Sequence, residues 1–217
     1  EIEQGRGCTG PQLEMMKGVN PYISAYRDKP PYFLPSPVVW AIAVNLDKYP
    51  LNYSEVRWAI SYAIDRKKLV DIAMPGSGQP CDPAPGYWSP LYKGLDEWRN
   101  YTLAAKYNVS EYNPQKSIEL LESLGFTRGP DGIFVTPNGT RLSFLYLSWD
   151  GPFDRIVQPL VAKMLKEVGI EVKVKFLLSE AYWPIWAGGN YEMFRDFQWV
   201  DDPKDPYYSW WFWSNEY

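Results

Sequence analysis

The sequence predicts an α/β fold, and three observations carry that prediction. Between Arg141 and Phe176 a β-prone run, an amphipathic helical run and a cleanly alternating β-prone run follow one another, which makes a βαβ unit. Earlier, the apolar run VVWAIAVNL gives way to a spacing of three and four at Val56, Ala59, Ile60, Ala63 and Ile64. Later, a strand from Met193 to Val200 follows the break Gly188-Gly189-Asn190.

The elements follow in order. The first 35 residues are rich in Gly, Pro and Tyr without a sustained period, and they predict loop. Val38 to Leu46 is β-branched and apolar on both faces, which predicts a strand buried from both sides. A helix is expected over about 55–73 with Ser54 as its cap. Pro75 to Tyr92 is dense in Pro and Gly and predicts a long loop. Asn113, Pro114 and Gly125 bracket QKSIELLESL as cap, first-turn proline and closing glycine of a short helix. GPDGIFVTPNGTRLSF reads as a hairpin turning at Pro137-Asn138-Gly139. A strand follows from Arg141 to Trp149, then a helix from Phe153 to Val168 that contains Pro159 and is closed by Gly169. IEVKVKF is the next strand, and a short helix near Glu180 to Trp186 precedes the last one.

No linker divides the chain, so residues 36–217 read as one α/β unit with an arm, 1–35, in front. Ligands of open α/β sheets sit beyond the carboxyl ends of the strands. Residues 149–153 and 199–213 occupy such positions.

Composition narrows the function. A net charge of -4 offers no broad basic surface to a phosphate backbone, which argues against nucleic acid. The longest apolar run, Val38 to Val44, falls far short of the roughly 20 residues that span a bilayer. Without histidine there is no Ser-His or Cys-His pair and no imidazole ligand, so neither a metal nor another cofactor is expected. Cys8 and Cys81 lack metal-ligand spacing, and a single bridge or two unpaired thiols both fit them. EIEQGRGCTG has none of the three regions of a signal peptide, which suits a cytosolic chain or a mature or excised piece. Aromatic residues are 17% of the chain, with 11 Trp, more than a core of this size ordinarily uses. Nine of the last twenty-one residues, Phe197 to Tyr217, are aromatic and stand beside Asp201, Asp202 and Asp205.

VRWAISYAIDRKKLV, preceded by Asn45-Leu46, resembles the extracellular solute-binding proteins of ABC importers, of the oligopeptide- and dipeptide-binding type. The resemblance continues in order through YNPQKSIELLESLGF, GPDGIFVTPNGTRLSF, VGIEVKVKF and GGNYEMFRDFQWVDDPKDP, covering roughly residues 36–217. It implies a periplasmic-binding-protein-like, type II lobe with a mixed sheet flanked by helices, and specifically the second of two hinged lobes. The implied partners are the first lobe, a membrane permease and a captured ligand. The implied location is periplasmic or extracellular, and membrane-associated for the whole protein. Catalysis is not implied.

By the family's Trp-x-x-Asp pattern ahead of an acidic-Pro pair, Trp199 lines the cleft and Asp202 takes the ligand-contacting position, with Asp201 beside it. Trp149, Trp210, Trp211 and Trp213 are further candidates, lying at strand ends or in the loops beyond. The family includes peptide binders and binders of β-linked glucose chains. A sugar presents an apolar C–H face and a rim of hydroxyls, which flat rings beside carboxylates suit, and the Trp surplus favours oligosaccharide over peptide. Asp201 and Asp202 would resemble a glycosidase pair only if their carboxyls faced each other across a bond, which adjacency in sequence does not provide. Asp65-Arg66 reads as an ion pair on a polar helix face without a ligand role.

Overall fold

The computed structural model describes residues 10–25, 27–29, 32, 38–76 and 111–199, of which 38–39 and 197–199 are strand backbone. In chain order the elements are α1 (Gly10–Val19), β1 (Val38–Val44), α2 (Ser54–Ala63), α3 (Arg66–Ala73) and α4 (Pro114–Ser123). Then come β2 (Thr127–Arg128), β3 (Phe134–Val135), β4 (Ser143–Trp149), α5 (Pro152–Glu167), β5 (Glu171–Leu177), α6 (Ser179–Gly188) and β6 (Met193–Trp199). The chain falls into two compact units, Glu1–Ser36 with Arg66–Cys81 and Pro37–Asp65 with Asp82–Tyr217.

In the first unit, α1 stands where loop was expected. Pro11 sits in its first turn and Leu13 to Lys17 are good helix formers, a signal masked by the surrounding Gly and Pro. The Gly10 amide donates to the Pro75 carbonyl at 2.9 Å. A Cβ on Gly10 would stand 2.6 Å from that oxygen, so glycine is what lets the two segments meet. The Tyr32 amide donates to the Gly76 carbonyl at 3.2 Å.

The helix expected over 55–73 is two helices. Ile64 turns extended after α2, and Asp65 occupies the residue before α3, where aspartate is a preferred cap. The ion pair expected of Asp65-Arg66 on one helix face therefore has no such face, and the break coincides with the division between the units. Nor is Ser54 the cap of α2. It is the first helical residue, its hydroxyl donates to Glu55 at 3.0 Å, and Tyr53 precedes it without a side-chain cap.

The second unit holds a four-stranded mixed sheet in the order β1-β6-β4-β5. β4 runs parallel to β5 and β6, and β1 runs antiparallel to β6 with Val38 opposite Trp199. β4, α5 and β5 are the expected βαβ unit, and Pro159 lies inside α5 without delaying its start. β1 differs from expectation. Among the described strands it lies at the edge of the sheet beside β6, and Ala41 to Val44 are half-buried. Asn45, just past its end, donates from its amide N–H to the Glu192 carbonyl and from its side chain to the Gly189 carbonyl, both at 2.9 Å. The Asn of the Asn-Leu motif thus ties β1 to the turn that starts β6.

α2 packs on α4 through Ser117, whose buried hydroxyl donates to the Ala59 carbonyl at 2.7 Å. Asn113 caps α4, accepting from the Lys116 amide at 3.0 Å, as its bracket of signals predicts. The hairpin segment makes two turns. β2 pairs with β3 across 129–133, and the turn at Pro137-Asn138-Gly139 brings Val135 opposite Arg141 in a single antiparallel bridge. Gly169 ends α5 at φ 90°, and a Cβ there would meet the Phe134 ring at 2.7 Å.

α5 and α6 cover opposite faces of the sheet. Leu147, Leu177, Tyr182 and Phe194 form an apolar cluster under α6. The next residue of β6, Arg195, points to the other face and meets Asp154 of α5.

Candidate functional site

Since β4, β5 and β6 run parallel, their carboxyl ends share one end of the sheet with the amino end of the antiparallel β1. Of the residues proposed from sequence, Trp149 is the last of β4 and 44% exposed. It lies on the α6 face, two residues beyond Leu147. Trp199 is the last residue of β6, at the same end of the sheet. Asp201, Asp202, Trp210, Trp211 and Trp213 lie outside the described residues, as do Asp205, Cys8 and Cys81.

The structure adds residues that were not picked out. Trp40, in β1, is 44% exposed, and its ring centroid lies 3.7 Å from that of Phe153 in the first turn of α5. Beneath them Arg195 Nε donates to Asp154 Oδ1 at 2.8 Å, with both side chains buried. Gln158 Nε2 donates to the same oxygen at 3.1 Å, and Gln158 Oε1 is buried without a hydrogen-bond partner. Burial pushes the Asp154 carboxyl above its ordinary range, opposed by the Arg195 charge and the two hydrogen bonds. Tyr146, wholly buried beside this pair, is raised by burial as well.

At the turn after β4, Arg155 donates from Nε and Nη2 to the two carboxylate oxygens of Asp150, at 2.5 and 2.9 Å. On the α6 face, Trp186 Nε1 donates to Asp196 Oδ1 at 3.1 Å, and Trp183 is 48% exposed. The sequence held one signal for these groups: Arg195 and Asp196 stand together within a strand that is mostly apolar and aromatic, and Asp154 interrupts the apolar stripe of α5. Among the described residues no group of three or more His, Cys, Asp or Glu is disposed to hold a metal ion, and no helix is long and apolar enough to cross a membrane. The arrangement offers partly open indole faces over a polar, hydrogen-bonded base, a surface suited to stacking.

Residues 11–217 match the family described as bacterial extracellular solute-binding proteins, family 5 middle. The chain belongs to this family. Family 5 relatives include the nickel-binding periplasmic protein of Escherichia coli (strain K12), 28% identical over 171 residues, or 76% of this chain and 30% of the relative. The glutathione-binding protein of Pectobacterium atrosepticum is 27% identical over 133 residues, covering 61% of this chain and 21% of the relative. Among solved structures, the periplasmic oligopeptide-binding protein of an oligopeptide ABC transporter from Thermotoga maritima superposes with a TM-score of 0.68 at 26% identity, over 86% of this chain and 34% of that one. The same protein with mannohexaose bound gives a TM-score of 0.68 and 26% identity, covering 87% and 34%. The chain thus spans about a third or less of the length of these relatives. Its fold class is that of the type II periplasmic binding proteins, a mixed sheet flanked by helices.

Proposed function

We propose that residues 36–217 form one lobe of the solute-binding component of an ABC importer, which captures an oligosaccharide of the β-gluco type between two lobes. The observation that carries this reading is the partly open Trp40–Phe153 pair on the α5 face at the end of the sheet where Trp199 closes β6, with Trp149 half exposed at the same end on the α6 face. Flat rings take up the C–H face of a sugar, while Asp201 and Asp202, which follow Trp199 in sequence, accept from its hydroxyls. The mannohexaose held by the Thermotoga maritima protein supports an oligosaccharide ligand. Trp210, Trp211 and Trp213 would extend the aromatic surface.

The ligand binds the closed form better than the open one and so shifts the hinge toward closure, after which a membrane permease accepts it on the outer side of the membrane. The ligand leaves unchanged, as a binding protein requires. An isolated lobe offers a single face and binds weakly. Peptide is the second reading, favoured by the oligopeptide- and glutathione-binding relatives; Asp202 then holds the peptide amine.

Calorimetric titration of the full-length protein with cello-oligosaccharides of two to five units and with small peptides separates the two. Saturable heat with the sugars, and unaltered sugar recovered afterwards, is the expected result. Tight peptide binding with no sugar response would sink the oligosaccharide reading, and wild-type affinity in both Trp199→Ala and Asp202→Ala would sink the site.

A further inference from the structure

Trp40, Phe153, Asp154 and Arg195 close a circuit on the α5 face. The Trp40 ring meets Phe153 at 3.7 Å, and Phe153 precedes Asp154 in the chain. Asp154 holds Arg195 at 2.8 Å, and the Arg195 guanidinium returns to within 5.5 Å of the Trp40 centroid. Burial is uneven around it: Asp154 is 2% and Arg195 4% exposed, whereas Trp40 is 44% exposed.

Stability alone is a poor reason for such a pair. Desolvation offsets most of the attraction between buried charges, and an apolar pair of similar volume serves a core as well or better. Leaving the Gln158 Oε1 acceptor unpartnered beside it adds a further cost. An ion pair supplies what an apolar pair lacks, namely direction. The planar guanidinium is held at a fixed angle by its carboxylate, and Gln158 steadies that carboxylate from one turn further along α5. A ring laid against an oriented cation has one preferred place. Among the described strands β1 has β6 as its one neighbour, so none of them supports Trp40 from the other edge.

We propose that Asp154 and Arg195 are positioning residues for Trp40: from inside the sheet they hold its ring as a stacking surface for the ligand, without touching the ligand themselves. This rests on the binding function proposed above, and its test separates the two. The full-length protein is labelled with 5-fluorotryptophan, and the resonance of Trp40 is assigned by its loss in Trp40→Phe. Replacing the pair by Asp154→Leu with Arg195→Met should leave the melting temperature close to wild type, shift that resonance and weaken cellopentaose binding by about tenfold. Arg195→Lys keeps the charge without the planar fork and should shift the resonance in the same direction by less. In a Trp40→Ala background the paired replacement should cost no further affinity, since its effect runs through the ring.

An unmoved Trp40 resonance in the paired variant overturns the proposal, as does an equal further loss of affinity in the Trp40→Ala background. If wild type binds neither cellopentaose nor peptide, the binding function fails, and the resonance alone still decides whether the pair positions the ring.

Discussion

The two faces of the sheet solve the same packing problem by different means. Under α6, Leu147, Leu177, Tyr182 and Phe194 pack without an ion pair, the Tyr182 and Phe194 rings 4.6 Å apart and the Tyr182 hydroxyl donating to the Arg195 carbonyl. Under α5, a salt bridge and a glutamine occupy the equivalent depth. Adjacent residues of one strand, Phe194 and Arg195, serve the two solutions, so neither helix propensity nor strand propensity accounts for the difference. Apolar contact is tolerant of small shifts, whereas a charge-assisted hydrogen bond is not. The face with direction is also the face that carries the Trp40–Phe153 pair.

The contrast can be broken most sharply at Arg195. Arg195→Ala strands the Asp154 carboxylate in the interior and should cost about 3–5 kcal/mol by urea unfolding. Adding a second replacement, so that the variant carries Asp154→Leu and Arg195→Met, should recover most of that loss; failure to recover would mean that the two faces are not different in kind. Leu147→Ala on the other face should cost about 2–4 kcal/mol, the usual loss for a buried leucine, and no second truncation there should restore it. Outside both faces, Gly169→Ala forces a Cβ into Phe134 at φ 90° and should cost about 1–3 kcal/mol, read as a lower melting temperature. Trp186→Phe removes one hydrogen bond to Asp196 while keeping a ring, and a loss of about 1 kcal/mol is expected.

The smallest effect concerns pH. Asp131 is held below the ordinary carboxylate range chiefly by the Ile133 amide and then by Arg141, and Glu171 chiefly by the Ser143 hydroxyl and then by Arg141. A depressed folded value means stabilisation that is complete above the unfolded value and lost as pH falls through the folded one. Asp154 has the opposite sign: its raised folded value favours folding in acid, and that contribution is lost as pH rises through it. Urea midpoints followed from about pH 6 down to about pH 3 should fall, and Arg141→Gln should flatten the fall only in part, because the Ile133 and Ser143 bonds remain. A steeper fall in that variant would contradict the assignment.

Local signals were legible and distant pairings were not. The cap, proline and glycine around α4 are all read from neighbours in sequence, and β5 shows its alternation outright. The split between α2 and α3 was hidden because the three-and-four spacing continues to Ile64, one residue past the end of α2. Trp40 was lost inside an apolar run whose place at the sheet edge depends on β6, far along the chain. Asp154 and Arg195 are 41 residues apart, and each alone reads as a charge on an amphipathic element. Trp149 and Trp199 stand at strand ends as the sequence predicts, whereas the buried pair beneath Trp40 left no local signal of its pairing.

The pairing of Val38 with Trp199 has a consequence for synthesis. VVWAIAV is uncharged, free of proline and rich in β-branched residues, and the strand that pairs with it is made only after β4, α5, β5 and α6. Such a segment is prone to wrong pairing for as long as it waits. The nascent chain therefore has to keep β1 shielded until Met193–Trp199 emerges, and the edge of this sheet is the last part of it to become safe.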